Sequence, residues 1–192
     1  MIHLMSFERC YDIAEMDEYL NDGFVGEWQK GQDVTVIFIP SKYKRFFFER
    51  WYFSDGNDIT NDATVAAKYP GDDAFRAWCR TSQREIFIFV DECENDDSII
   101  WLIMHELTHI DIHHSNIMNF FLGIQRDQWL KNIKLSPDDY FSPTMMNRDE
   151  LHEADPEEQV CNNVASTFLC GKTYDRAWWR KRKNEMCKKG GV

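Results

Sequence analysis

The chain has 192 residues, 43% of them hydrophobic and 15% aromatic, a composition that can bury a core and is far from that of a disordered chain. Its formal net charge is −11; eight Lys/Arg against two Asp/Glu after residue 170 make that tail +6 and leave −17 on the rest. An acidic body argues against a general nucleic-acid binder, which needs clustered cations, and the sequence shows neither a secretion signal nor an apolar run long enough to span a membrane.

In chain order, Phe7, Ile13, Met16 and Leu20 predict a first helix over Ser6 to Leu20. Val34 to Ile39 reads as a strand closed by Pro40, and the aromatic run Phe46 to Phe53 as a second. Asp55 to Asn61 is turn-like, and Asp72 to Cys79 reads as a short helix. Ile86 to Val90, IFIFV, is a strong strand signal before an acidic turn. Ser98 is the expected N-cap of a long helix to about His114, with Ile99, Ile100, Ile103, Met104, Leu107 and Ile110 on its apolar side. A further helix follows from about Ile117 to Lys131, then a long polar loop from Leu135 to Glu153. Asp155 as N-cap with Pro156 at the first position opens another helix, ending near Gly171. A last, basic helix runs from Thr173 to about Lys188. The six cysteines form no CxxC pair, so reduced thiols in a cytoplasm are expected rather than disulfides.

The chemistry concentrates in HELTH, His105 to His109. Positions four apart lie on one face of a helix, so His105 and His109 can turn their imidazoles to one zinc ion. Glu106 is rotated about 100° away, beside the water on the metal instead of on the metal itself. It can therefore take that water's proton as the water attacks a carbonyl.

A catalytic zinc needs a third protein ligand and an open position. His113 keeps the spacing, but His105 and His113 lie about 12 Å apart along the helix; it reads as a supporting or helix-end residue. In a metzincin the third histidine would fall at Ser115, and the required glycine is missing. That leaves the helix in DPEEQVCNNVAS. Glu158 is the expected ligand, with Glu157 the near alternative and Asp155 or His152 behind it. Asn162, on the face of Glu158, is expected to hydrogen-bond a ligating histidine. Tyr140, His152 and Tyr174 are candidates to stabilise an oxyanion.

The strand IFIFV, the acidic turn, HELTHIDIHH and EQVCNNVASTFL together resemble the ImmA/IrrE-like metallopeptidases, over about Glu85 to Gly171. The family shows a strand, HELxHxxxHH and a Glu-x-x-x-Asn helix with a small residue three further on. His105, Glu106, His109, Glu158, Asn162 and Ala165 fall on those positions. The resemblance implies a small cytoplasmic protease, often encoded near phage-like elements, that cuts a protein substrate such as a transcriptional repressor.

The expected architecture is α+β: a small, mostly antiparallel sheet packed on a zincin-type active-site helix, with a helical C-terminal half. Residues 1–170 are expected to form one zincin-like domain and 171–192 a basic tail. The expected protein is a zinc metalloendopeptidase, with a monomer as the default and its oligomeric state open. Two rival readings are a catalytically silent zinc-stabilised regulatory module and a nucleic-acid-associated protein using the aromatic strand and basic tail.

Overall fold

The structure, a computed structural model, describes residues 1–22, 33–44, 76–140 and 148–170. Four strands, β1 (Ile2–Ser6), β2 (Val34–Ile39), β3 (Ala77–Arg80) and β4 (Glu85–Phe89), form one sheet in the order β1-β2-β4-β3. Strand β2 pairs parallel with both β1 and β4, and only β3 runs antiparallel, against β4. The sheet is therefore mixed, not mostly antiparallel as expected. The α+β class stands, with helices α1 (Ala14–Asp22), α2 (Asp96–His114), α3 (Asn116–Ile133), α4 (Pro137–Tyr140), α5 (Arg148–Ala154) and α6 (Pro156–Cys170).

The apolar run in β4 has a simple cause: both faces of the strand are covered. Ile86 and Ile88 join Val34, Val36 and Phe38 of β2 in the main core, beneath α1 and α2. Phe87 and Phe89 point the other way and pack with Ile39, Ile37 and Trp78. A strand buried on two sides reads as continuous apolar sequence rather than as alternation. From α2, Ile99, Ile100, Ile103, Met104, Leu107 and Ile110 all enter the main core, the apolar side the sequence predicts. Asn95, not Ser98, caps this helix, accepting the Ser98 N–H at 2.9 Å.

Three other expectations are corrected. The first helix starts at Ala14, because β1 and a 3-10 turn over Phe7–Arg9 occupy the chain before it, with Glu8 and Arg9 both at φ 55°. Ala77–Arg80 is a strand hydrogen-bonded to β4, not the end of a helix. The segment expected as loop from Leu135 contains α4 and α5. The expected strand at 46–53, the turn at 55–61 and the basic helix at 173–188 lie outside the described residues. Among the described residues no helix is long and apolar enough to cross a membrane.

Candidate metal centre

Two antiparallel-packed helices build the site. The face of α2 opposite its core side carries His105 and His109, and the first turn of α6 carries Glu157 and Glu158. The two Nε2 atoms lie 3.2 Å apart. Glu158 Oε2 is 3.2 Å from His105 Nε2, and Oε1 is 3.2 Å from His109 Nε2. Ligand atoms about 2.05 Å from a tetrahedral zinc stand roughly 3.3 Å from one another, so this triangle has the size of one metal ion. Among the described residues it is the group of His, Cys, Asp and Glu side chains that can hold a metal ion.

Two further observations fit a cation. Glu158 Oε2 is buried and makes no hydrogen bond despite its contact with His105; its lone pairs meet a ring nitrogen without a shared proton in line. And the buried groups carry surplus negative charge. Glu106, Asp155, Glu157 and Glu158 are each 8% exposed or less, and among the described residues Arg126 is the permanent cation paired with two of them, Asp155 and Glu157. Uncompensated buried carboxylates are expensive, and a divalent ion at the triangle would offset much of the surplus.

Without a metal, protons take that part. Burial works against a charge on His109, but the neighbouring Cys161 sulfur and the carboxylates of Glu157, Glu158 and Glu106 outweigh it and raise the imidazole far above its usual range. Burial likewise pushes Glu158 up, yet His105, His109 and His152 hold it well below the carboxylate range. Glu157 is held low in the same way by His109, His113 and Arg126.

The supporting contacts differ from expectation in one respect. Asn162 makes no hydrogen bond to either histidine. Glu157 Oε1 sits 2.7 Å from His109 Nδ1, because the first turn of α6 faces that ring edge and a carboxylate reaches it. An ionised carboxylate only accepts, so Nδ1 carries a proton and Nε2 is the nitrogen turned to the triangle. His105 Nδ1 is buried with no partner; its ring is held by stacking on Trp101, with centroids 5.2 Å apart. His113 stands off the triangle, as distance along the helix requires, with Nε2 3.2 Å from Glu157. His114 Nε2 donates to Thr81 O at 2.8 Å.

Of the oxyanion candidates, His152 reaches Glu158 Oε1 at 3.1 Å and is half-exposed. Tyr140 is buried, and its hydroxyl donates to Asp155 at 2.7 Å, which commits it to that acid. Tyr174 lies outside the described residues. Glu106 lies beside Cys79 of β3; burial first, and then that carboxylate, raises the thiol well above its usual range. The residue missed by sequence reasoning is Arg126, which binds both Asp155 and Glu157. Its signal was present: it falls midway between Leu122 and Leu130 on the inward face of α3.

No protein-family model matches the chain, and neither curated proteins nor solved structures give a significant match. The site is therefore read from its own geometry: two imidazoles and a carboxylate converge, with a second glutamate one residue along from the first histidine.

Proposed function

We propose that the protein is a zinc-dependent metallopeptidase that hydrolyses peptide bonds of a protein substrate. The observation that carries this reading is the 3.2 Å triangle of His105, His109 and Glu158, with Glu106 the residue that follows His105 on α2. Three protein ligands leave a fourth position open, as hydrolytic zinc sites do and structural ones do not. When bound, the ion supplies Lewis acidity to a carbonyl and to water. Glu106 accepts the proton of the attacking water and returns it to the leaving amine. His152, whose Nε2 lies 3.1 Å from Glu158 Oε1, is the candidate donor to the developing oxyanion. The resemblance to ImmA/IrrE-like peptidases supports the same reading and extends it to a cytoplasmic setting and a repressor-like substrate.

The test pairs metal analysis with cleavage of a peptide library. Wild type and Glu106→Gln are both expected to carry one equivalent of zinc, and only the wild type to cut. Wild type purified and reconstituted without binding zinc, or Glu106→Gln cutting at the wild-type rate, would refute it. The depth of two of the ligands, with His105 and Glu158 each 8% exposed, favours a second reading, a zinc-stabilised module without turnover. In that case Glu106→Gln leaves the biological effect intact, while His109→Ala abolishes it by lowering stability.

A further inference from the structure

The inner face of α3 delivers one charged side chain to the region behind the metal triangle. Leu122 and Leu130 are buried, and Arg126, four residues from each, projects between them. Its Nε and Nη2 donate to the two oxygens of Asp155, at 2.8 and 3.0 Å. Nη2 also donates to Glu157 Oε2 at 2.7 Å. Asp155 and Glu157 are 2% and 5% exposed. Two carboxylates this close and this dry repel one another, and a guanidinium fork between them is the group that lets both remain ionised.

Glu157 is thus held from both ends. Its Oε2 is fixed by Arg126, and its Oε1 accepts a hydrogen bond from the Nδ1–H of His109. The amide N–H of Glu157 donates to Asp155 Oδ1 at 2.8 Å, so the backbone there is fixed by the same acid that Arg126 grips. The partner on the far nitrogen of a ligating histidine sets its tautomer, ring angle and basicity. A carboxylate free to turn away would leave His109 free to protonate Nε2 and lose its lone pair toward the triangle.

We propose that Arg126 is a positioning residue for the metal centre: acting through Glu157, it fixes the Nδ1–H tautomer and orientation of His109 and so sets how tightly the centre holds its metal. The inference rests on the reading of His105, His109 and Glu158 as metal ligands, and not on peptidase activity. It also makes the seating of α3 against α6 part of metal binding, since Arg126 is carried by one helix and its two acids by the other.

The experiment is a cobalt titration of the metal-free full-length chain, read by visible absorption, for wild type, Arg126→Gln, Glu157→Gln and the double variant. Loss of a partner on a ligating histidine weakens metal binding about 10- to 100-fold, and each single variant is expected to fall in that range with a shifted cobalt spectrum. Because Arg126 acts through Glu157, the double variant is expected to bind no more weakly than Glu157→Gln alone. Tyr140→Phe removes a bond to Asp155 without touching Glu157, and is expected to lower the melting temperature while leaving the cobalt affinity and spectrum unchanged.

Arg126→Gln with wild-type affinity and spectrum, or losses that add in the double variant, would overturn the proposal and leave Arg126 a purely structural clamp. Should Arg126→Gln fail to fold, Arg126→Lys decides instead. A single ammonium cannot bridge both acids as the fork does, so weaker cobalt binding is expected and wild-type binding overturns the idea. A wild type that takes up no cobalt and no zinc refutes the metal site itself, a different result from tight wild-type binding with unaffected variants.

Discussion

Glu157 and Glu158 are adjacent in the chain, and the 100° turn between neighbouring helical positions gives them different tasks. Glu158 faces the Nε2 atoms of both histidines, and Glu157 faces Nδ1 of one. Asp155, at the head of the same helix, is the quietest and most loaded of the acids. It accepts from Arg126 twice, from the Tyr140 hydroxyl and from the Glu157 amide, at 2% exposure. Removing one partner of such a buried charge network costs about 3–5 kcal/mol, so Asp155→Ala is expected to lose roughly that much in urea unfolding. The ion pair between the N-terminus and Asp33 is 71% and 75% exposed. Asp33→Asn is expected to leave the unfolding midpoint unchanged, because water and salt screen such pairs.

Helix α2 serves two surfaces at once. One side puts six large apolar residues into the main core, and the other presents His105 and His109 to α6. The core side therefore decides how precisely the histidines are held. Leu107, between the two in sequence and fully buried on the core side, is the position to test: Leu107→Ala is expected to cost about 2–5 kcal/mol by transfer and cavity terms. Losing the Asn95 cap, as in Asn95→Ala, is expected to cost about 1 kcal/mol. That cap lies at the far end of α2 from His109, so metal affinity is expected to hold there, as equilibrium titration would report. Equal losses from the two variants would mean that α2 is not anchored through its core side.

Across the whole molecule, the surplus of buried acid makes stability depend on pH differently with and without metal. Glu157 and Glu158 are held below their ordinary value of 4.5, so their contribution is present above about that pH and is lost as the pH falls. His109 is raised above its ordinary value of 6.5, so its contribution is complete below that pH and drains away as the pH rises. The metal-free protein is expected to be most stable between those two values and to weaken on either side, as thermal melts across a pH series would register. A metal ion at the triangle would take the place of the His109 proton, so the loaded protein is expected to keep its melting temperature toward pH 8, and chelation to remove that gain. Free metal at a hundred times its Kd adds about 2.7 kcal/mol. A metal-free melting temperature that stays flat from pH 5 to 8 would contradict the charge assignment.

What depends on local geometry was legible in the chain. The 3.6-residue period places His105 and His109 on one face, turns Glu106 aside and puts His113 out of reach. The same period lines up the apolar residues of α2, and Asp155 with Pro156 marks the start of α6. The sheet was legible only in part: β2 and β4 carry strong apolar runs, while β1 is a five-residue edge strand exposed at alternate positions, and parallel pairing leaves no turn signal between partners. Packing between helices set which glutamate meets the Nε2 atoms and which the Nδ1, that Asn162 makes neither contact, and that Arg126 stands behind both Asp155 and Glu157. Those outcomes depend on the rotation of α6 about its own axis and on the seating of α3 against it. Contacts across 29 to 53 residues of chain fix both, and no local period encodes them.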